Sequence, residues 1–368
     1  MKLLFVTFSA IDDYAYGAAM RSNHIREAML QIGEVHTLII HGGHQLHLDR
    51  DWSEHRIKRA TYDRSGPSAG AWRQRARIRE WVAQILREQP YDAIVARYVG
   101  MAFFVPWSAW PRLIIDADDI VKSVPAGAAT PLRQRLRLWA RNAIARLVVH
   151  RAGHVWYVNP LDARGLGTGR VSLLRNVVRI PPEARSRAQP VAGRILMVGL
   201  FQHPPNAQGL RWFADAVLPA LKSKFPDVEL HAVGKFLPGF DTELPAVHFH
   251  GFVDDLALEY DLASLVIAPI ESGGGTQIKV IDALAHRRPL AVSAFAHAGF
   301  ATELLPSDHL LVCRNEQEWI RHCSWVLSKP AEAEAMAVRG YQAVRAYGSD
   351  RLTSTIQETV QLLGERFA

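Results

Sequence analysis

Three consecutive glycines, Gly273–Gly275, lie between an apolar segment and a helical pattern. Glycines let a ligand approach the backbone closely, and a helix that opens at Thr276 would direct its free N–H groups and the positive end of its dipole outwards. Lys279 would lie one turn into this helix, and Asp282 follows three residues later. These groups predict a pyrophosphate site beside a carboxylate that could accept hydrogen bonds from sugar hydroxyls. For this stretch alone, a glycine-rich turn before a solvated helix is the alternative.

Acidic side chains cluster directly after an apolar segment in the first half of the sequence. The segment Leu113–Asp116 predicts a buried strand, which puts Asp116, Asp118 and Asp119 at its carboxyl end. Three interpretations remain open. The carboxylates could hold Mg²⁺ or Mn²⁺ on a nucleotide diphosphate, because these ions prefer oxygen ligands. One carboxylate could orient or deprotonate an acceptor hydroxyl, or the group could cap a helix and pair with nearby arginines.

Histidines number 16, yet their spacing predicts no metal site. His203 follows the first strand of the second half, where it could contact a ligand at the end of that strand. His248 and His250 flank one strand position, and we expect them to face the same side of a short strand. The two cysteines, Cys313 and Cys323, are too few for a disulfide framework or a four-cysteine zinc site and are expected to be reduced core thiols.

Two arrays of alternating strands and helices are expected to position these groups. The first begins with a strand over Lys2–Phe8, a helix over Ala18–Gln31 and a strand over Val35–Ile40, which together make a βαβ unit. The second begins at Arg194, after a proline-containing linker over Ile180–Gly193. Short apolar strands are typical of parallel sheets that are covered on both faces. The pattern therefore predicts two doubly wound α/β domains, with an α/β barrel as the structural alternative.

Ligands of open α/β sheets bind outside the carboxyl ends of the strands, so two such domains predict a binding cleft between them. Neither domain has Gly-x-Gly-x-x-Gly after its first strand, which argues against a dinucleotide-dependent oxidoreductase. The phosphate-binding pattern Gly-x-x-x-x-Gly-Lys-Ser/Thr is also missing from the sequence.

The positive charge is confined to the first half of the sequence. The chain has 368 residues, of which 49% are hydrophobic and 21% charged, as in an ordinary globular protein of two domains. Residues 1–190 carry 28 Lys and Arg against 16 Asp and Glu, a net charge of +12, and the rest carry 15 against 20, a net charge of −5. This asymmetry suggests an anionic partner for the first half.

Arginine-rich amphipathic helices are expected over residues 72–87 and 132–149. Such helices can lie on an anionic membrane surface. Alternatively, they pack an apolar stripe on the sheet and leave their arginines in solvent. No nucleic-acid-binding module accompanies the charge, and no run of 18 apolar residues predicts a membrane-spanning helix.

Five segments resemble the retaining glycosyltransferases of family 4, most strongly between residues 195 and 300. In chain order they are Gly17-Ala-Ala-Met-Arg-Ser-Asn-His, Leu174-Arg-Asn-Val-Val, Val198-Gly-Leu-Phe-Gln-His-Pro-Pro-Asn-Ala-Gln-Gly-Leu-Arg-Trp-Phe, Phe249-His-Gly-Phe-Val-Asp-Asp and Asp282-Ala-Leu-Ala-His-Arg-Arg-Pro-Leu-Ala-Val. The third is similar to a subgroup of bacterial sugar transferases with Pro-Pro-Asn and Trp-Phe here. The resemblance implies the GT-B fold, two Rossmann-like domains that face each other across a cleft.

The resemblance also implies a donor site in the second domain. Together with the glycine turn, it assigns donor binding to His203, Gly251, Phe252, Val253, Glu271, Gly273, Gly274, Gly275, Thr276, Lys279 and Asp282. One family glutamate falls on Gly274, so Glu271 and the N–H groups of the turn are expected to take over its role. The family's diphosphate-binding Arg and Lys fall near Leu200 and Asn206, which leaves Lys279 and Arg21 as the expected phosphate partners.

In the first domain the resemblance implies an acceptor side. Asp118 and Asp119 occupy the place where family members carry His-Asp, which favours the catalytic interpretation over a metal site. Gly17 and Arg21 belong to the glycine loop and first helix on this side.

The resulting prediction divides the chain into an acceptor domain over 1–185, a donor domain over 186–348 and a helix over 349–368 that packs back toward the first domain. The function is transfer of a sugar from a nucleoside-diphosphate sugar to a hydroxyl of a glycan or lipid-linked saccharide, with retention and without metal or cofactor. We expect the protein in the cytoplasm or peripherally on the inner membrane face, with no nucleic-acid partner. A nucleotide-sugar epimerase or hydrolase on the same fold, or a non-catalytic membrane-associated scaffold with a degenerate donor site, are the alternatives.

Overall fold

The computed structural model describes residues 1–9, 11, 17–43, 45–63, 69–118, 132–159, 170–181, 188–237, 239–240, 243–273 and 276–366. The chain divides into two compact units. Unit 1 comprises Met1–Val177 and Ser349–Ala368, and unit 2 comprises Val178–Gly348. The division falls at the start of the proline-containing linker, eight residues before the predicted domain boundary after residue 185.

Within the described residues, unit 1 contains an eight-stranded sheet with the order β3-β4-β2-β1-β5-β6-β7-β8. Neighbouring strands are parallel except for β3, which is antiparallel to β4. The strands are β1 (Lys2–Thr7), β2 (Glu34–Gly43), β3 (His47–Leu48), β4 (Ile57–Asp63), β5 (Ala93–Arg97), β6 (Leu113–Asp116), β7 (His154–Tyr157) and β8 (Val171–Leu173). The helices between them are α1 (Gly17–Ile32), α2 (Ala69–Glu88), α3 (Val99–Ala102) and α4 (Leu132–Arg151).

Strand β1 shows why this sheet is covered on both faces. Successive strand side chains point to opposite faces, so Leu4 and Val6 enter one apolar cluster while Leu3 and Phe5 enter another. All four side chains are almost fully buried, and each such burial contributes about 1.5–3 kcal/mol. The sheet therefore lies at the centre of unit 1.

Unit 2 contains a six-stranded parallel sheet with the order β11-β10-β9-β12-β13-β14 in the described part of the chain. The strands are β9 (Arg194–Val198), β10 (Glu229–Val233), β11 (Val247–Gly251), β12 (Leu265–Ala268), β13 (Leu290–Ser293) and β14 (Leu311–Cys313). The helices are α5 (Pro204–Trp212), α6 (Leu218–Lys224), α7 (Leu256–Leu262), α8 (Ile278–Ala285), α9 (Ala294–Ala298), α10 (Glu316–Ser328) and α11 (Pro330–Val344). Counted from β9, this is the 3-2-1-4-5-6 order of the doubly wound Rossmann fold.

The last helix, α12 (Ser349–Glu365), belongs to unit 1. Its Ile356 and Val360 pack in the same cluster as Ile25 of α1. The indole N–H of Trp156 in β7 donates a hydrogen bond to the Thr359 hydroxyl at 3.0 Å. The end of the chain is thus part of the core of unit 1.

The two open sheets, parallel except for β3, confirm the predicted α/β class and exclude the barrel. The bounds of β6 are those predicted, whereas β3, β4 and β8 were not expected. Helices α5 and α6 are joined by a π-helical segment, Phe213–Val217, where the Leu218 N–H bonds to the Phe213 carbonyl. Pro219 follows without an N–H to donate, which favours such a change of helix type.

Among the described residues, no helix has both the length and the apolar character needed to cross a membrane.

Candidate functional site

The strand order of unit 2 reverses between β9 and β12. In open α/β sheets, the crevice outside the carboxyl ends of such a pair of strands is the ligand site. The loop from Gly199 to His203 follows β9, and the turn that contains Glu271 and Gly273 follows β12. Four of the predicted donor-binding positions, His203, Glu271, Gly273 and Lys279, therefore come from segments that border this crevice.

The glycine turn approaches the β9 loop closely. Gly273 has a φ of +130°, a backbone conformation that residues other than glycine rarely adopt. A β carbon at Gly273 would lie 3.9 Å from Cε1 of His203, so the two residues are neighbours. Glu271 and Gly273 are exposed. Gly274 and Gly275, which were also predicted to bind the donor, lie outside the described residues.

Helix α8 begins two residues later than predicted. Its first residue is Ile278, and Gln277 holds the N-cap position with an extended backbone. The half-buried Thr276 therefore lies in the connection before the helix and not in its first turn. Lys279 therefore lies in the first turn, closer to the N-terminus of the helix than predicted.

Lys279 joins the glycine side of the site to the β9 loop. Its Nζ donates a hydrogen bond of 2.5 Å to Oδ1 of Asn206, and Asn206 in turn donates from Nδ2 to the Leu200 carbonyl at 2.8 Å. A β carbon at Gly199 would lie 3.4 Å from the same Nζ. Burial lowers the pKa of Lys279 to about 8. No carboxylate in the described part of the chain forms an ion pair with this ammonium, which leaves its charge for an incoming anion to neutralise.

Asp282 lies one turn after Lys279 on α8 and is partly buried. Burial raises the pKa of its carboxyl group to about 7. Burial of Tyr260, with a contribution from the charge of Asp282, raises the pKa of the tyrosine well above its ordinary value. The Tyr260 hydroxyl is buried and has no hydrogen-bond partner among the described groups. A carboxylate in such surroundings gains from hydrogen bonds that a ligand hydroxyl could donate.

The turn after β11 carries the three predicted base-binding residues. Gly251 has a φ of +69°, Phe252 is 70% exposed, and Val253 packs partly against the core of unit 2. The Gly251 carbonyl accepts a 2.7 Å hydrogen bond from the N–H of Gly234, which follows β10. The ends of β10 and β11 are thereby joined.

Gly234 was not predicted as a site residue. Its φ is +140°, and a β carbon there would lie 1.8 Å from the Gly199 carbonyl oxygen, so only glycine fits. Because Gly199 also lies beside Lys279, this contact connects the loop after β10 to the lysine.

Asn206, the hydrogen-bond partner of Lys279, was also not predicted as a site residue. Its position in the Pro-Pro-Asn segment was the available signal.

In unit 1, Asp116 forms the centre of a buried ion-pair network. Arg21 donates to its Oδ1 at 2.7 Å from Nη2 and to its Oδ2 at 3.0 Å from Nε, and Arg97 donates to Oδ2 from Nη1. Burial acts to raise the pKa of Asp116, but the two guanidinium groups outweigh it and hold that pKa below its usual value. Both carboxylate oxygens are occupied by arginines, which favours the salt-bridge interpretation for Asp116.

Arg21, predicted as a phosphate partner, is instead committed to this network. Its side chain is 2% exposed. Besides the two bonds to Asp116, it donates to the Leu174 and Arg175 carbonyls and to Oδ1 of Asn176. These five contacts use all five N–H groups of a guanidinium. Gly17, predicted beside it, is the exposed first residue of α1.

Asp118 is the described member of the predicted catalytic pair, because Asp119 lies outside the described residues. Its side chain is 15% exposed, and its Oδ2 lies 3.4 Å from both Nη2 of Arg97 and the hydroxyl of Tyr98. Tyr98 was not predicted as a site residue. It has a φ of +66°, which is rare and strained for a tyrosine, at the end of β5. Strain of this kind concentrates at functional sites, and only the structure reveals it.

Comparison with known proteins finds a protein family that matches part of the chain. Residues 192–329 match the protein family described as "Glycosyl transferases group 1". Unit 2 thus carries a glycosyl transferases group 1 domain. A Klebsiella pneumoniae protein described as an uncharacterized 44.6 kDa protein in the cps region is 25% identical over 139 residues. That match spans 35% of this chain and 35% of the relative.

Solved structures resemble nearly the whole chain. Sucrose-phosphate synthase from Thermosynechococcus elongatus matches with a TM-score of 0.71 and 15% identity, over 99% of both chains. A trehalose-6-phosphate structure from E. coli, bound with UDP-2-fluoro glucose, matches with a TM-score of 0.68 and 12% identity, over 98% of this chain and 99% of that one. These neighbours are GT-B glycosyltransferases, and at such identities the likeness shows the fold. The predicted GT-B fold is confirmed.

Proposed function

We propose that this protein is a retaining glycosyltransferase of family 4, in the subgroup with the Pro-Pro-Asn segment. It transfers a hexose from a nucleoside-diphosphate sugar to a hydroxyl group of a glycan or lipid-linked saccharide. The glycosyl transferases group 1 domain over 192–329 and the GT-B fold support sugar transfer in general terms. The finer assignments depend on the motif resemblance and on the chemistry of the described side chains.

The ammonium group of Lys279 is the observation that carries the proposal. It lies at the strand-order reversal, beside Gly199, with the neutral amide oxygen of Asn206 as its hydrogen-bond partner. Desolvation without a counter-charge makes the charged form unfavourable, as the lowered pKa of about 8 reflects. A diphosphate would supply the missing negative charge. During transfer, negative charge develops on the departing diphosphate, and a preorganised cation stabilises it.

The rest of the donor site surrounds this lysine. Gly273, together with Gly274, Gly275 and Thr276, brings backbone N–H groups to the phosphates, while Asp282 accepts hydrogen bonds from hydroxyls of the nucleotide sugar. His203 and Glu271 contact the transferred sugar, and Gly251, Phe252 and Val253 bind the base. The mutual approach of Gly273 and His203 supports their joint assignment.

On the acceptor side, Asp118 and Asp119 orient or deprotonate the attacking hydroxyl. The contacts of Asp118 with Arg97 and Tyr98 support this role, because they hold a partly exposed carboxylate at the end of β6. The use of both Asp116 oxygens by arginine supports a reaction without a metal at this aspartate cluster. We infer no cofactor beyond the nucleotide sugar.

Helix α4 is proposed to bring the protein to an anionic membrane surface, on the cytoplasmic side. Trp139 is 72% exposed, and Leu136, Ile144 and Leu147 are each at least half exposed on the same helix, among arginines. Both helices bury one side in the core of unit 1, α4 through Val148 and Val149 and α2 through Ile78, Val82 and Ile85, but among the described side chains α4 exposes more large apolar residues than α2. Exposed tryptophan and leucine among arginines are typical of helices that lie in a membrane interface. This supports a lipid-linked acceptor.

Turnover with a panel of UDP-, GDP- and ADP-sugars, with calorimetry of the free nucleotides, tests the function. We expect one nucleotide to bind and its sugar to be transferred only when an acceptor is present. Replacement of Asp282 by asparagine should weaken nucleotide-sugar binding, whereas Asp215→Asn, on the exposed side of the π-helical segment, should not. If no nucleotide binds, the proposal is wrong. Product formed without an acceptor would instead show an epimerase or hydrolase.

Liposomes that contain anionic lipid test the membrane proposal separately. Binding should fall when Trp139 and Leu136 are both replaced by serine and should weaken as salt increases. A matched replacement of Val191 and Leu237, exposed apolar residues of unit 2, should leave binding unchanged. Liposome binding that persists in a Lys279→Ala, Asp282→Ala double variant, with no transfer by the wild type, would favour the non-catalytic scaffold.

A further inference from the structure

Strands β10 and β11 present a polar face at the edge of the unit 2 sheet. β11 is an edge strand and pairs in parallel with β10, with His231 directly opposite His248. Side chains two apart in a strand share a face, so Glu229 joins His231 and His250 joins His248. The side chains of Glu229 and His248 are about half exposed, at 48% and 47%, His250 is exposed, and His231 is mostly buried.

The side chains on this face converge on one point. Oε2 of Glu229 lies 3.1 Å from Nε2 of His248 and 3.7 Å from Nε2 of His231. One ligand atom from each of the three residues lies within 4.8 Å of the other two. A tetrahedral zinc ion with bonds of about 2.1 Å holds its ligand atoms about 3.4 Å apart. Two of the three separations lie close to this value without any change of rotamer.

His250 lies next to these three residues and contacts His231. Its Nε2 lies 2.8 Å from Nδ1 of His231. When Nδ1–H of His231 donates this hydrogen bond, the lone pair of His231 is on Nε2, the atom that faces Glu229. Ligating histidines commonly have their second ring nitrogen held in this way, which fixes the tautomer and the ring orientation.

We propose that Glu229, His231 and His248 bind a zinc ion, with His250 as the positioning residue for His231. Two imidazoles and one carboxylate form an N/O ligand set that suits zinc, and the exposed side leaves a fourth position for water. Of the positive neighbours, Arg194 pairs with Glu259 at 2.5 Å, and the Lys222 ammonium donates to the Val228 carbonyl at 3.1 Å. The ion links the edge strand β11 to β10. This inference is independent of sugar transfer.

Calorimetry of zinc with the full-length, tag-free protein after chelator treatment tests the site. We expect one zinc ion per chain. His248→Ala and Glu229→Gln change exposed side chains and so retain the fold, and each should weaken binding at least tenfold. The control is His47→Ala in unit 1, which removes an exposed histidine that pairs with Asp49 at 2.9 Å, much as His248 pairs with Glu229. Its affinity should equal that of the wild type.

Cobalt substitution provides a readout that stability does not affect. The visible absorption of Co²⁺ in the wild type should indicate tetrahedral or five-coordinate N/O ligation and should disappear in His248→Ala. His250→Ala should weaken zinc binding about 10–100-fold, and His250→Gln, which retains a hydrogen-bonding group, should restore part of it. The inference is overturned if the wild type binds no zinc stoichiometrically, if His248→Ala binds as tightly as the wild type, or if His47→Ala loses as much affinity.

Discussion

Replacement of Lys279 by methionine should make the protein more stable and, at the same time, weaken its binding of nucleotide. Burial lowers the pKa of Lys279 from 10.5 to about 8. At 1.36 kcal/mol per pKa unit, this corresponds to roughly 3 kcal/mol of unfavourable free energy for the charged form. Methionine keeps the length and apolar character of the side chain but removes the charge. The Asn206 amide oxygen loses its donor, which offsets about 1 kcal/mol.

The net effect on the free energy of unfolding is therefore a gain of about 2 kcal/mol near pH 7. Its sign follows from proton linkage. Between pH 8 and 10.5 the unfolded lysine binds more protons than the folded one, so the stability of the wild type rises with pH there. The advantage of Lys279→Met should accordingly be greatest below pH 8 and should disappear as the pH approaches 10.5. Urea denaturation at several pH values measures it.

Nucleotide affinity should change in the opposite direction. Loss of a charge-assisted contact to phosphate costs about 1.5–3 kcal/mol, or about 10–150-fold in Kd. The control is Lys222→Met, since Lys222 is also partly buried and donates to the Val228 carbonyl at 3.1 Å. That variant should lose a little stability and keep its nucleotide affinity. If Lys279→Met is less stable than the wild type, or binds nucleotide equally well, the lysine has a structural role and the reasoning fails.

Three further variants test the two strand-end regions. Asp116→Asn removes the carboxylate that the buried Arg21 and Arg97 share and should lower the free energy of unfolding by about 3–5 kcal/mol in urea denaturation. Gly234→Ala places a β carbon 1.8 Å from the Gly199 carbonyl oxygen and should lower both stability and nucleotide affinity, whereas Gly239→Ala, also at positive φ but with nothing within 4 Å, should cost much less and leave affinity unchanged in calorimetry. Tyr98→Phe removes only the hydroxyl near Asp118 and should lower kcat for transfer without a change in nucleotide Kd or thermal stability. An unchanged kcat would remove Tyr98 from the acceptor side.

The strands that were predicted correctly are those with uninterrupted apolar runs. Strand β4 was missed because Lys58 and Arg59 interrupt its pattern. In the structure Lys58 is buried, its Nζ donates to the Arg50 carbonyl at 2.7 Å, and it lies over the ring of Trp52. Contacts of this kind make a buried lysine tolerable. Hydrophobic periodicity cannot reveal them, because it reflects only the average burial of each residue type.

The candidate site was predictable where the chemistry is local. Glycines that precede a helix with a lysine and an aspartate could be recognised in the sequence, but the partner of Lys279 could not, because Asn206 lies 73 residues away. The same limit applies to the histidines. His248 and His250 were expected on one side of a strand, whereas their convergence with His231 depends on the pairing register of β10 and β11.

The two units differ in how far the charge of their buried cationic side chains is neutralised within the protein, and this difference determines where an anion can bind. In unit 1, Arg21 has all its N–H groups occupied within the protein, and Arg97 shares Asp116 with it, so neither has charge to offer a ligand. The basic surplus of the first half must therefore act through exposed arginines such as those of α4. In unit 2, which has fewer cations than anions, Lys279 is partly buried and lacks a described carboxylate partner. Net charge thus indicates which half attracts an anionic surface, whereas the satisfaction of individual cations indicates which residue binds phosphate.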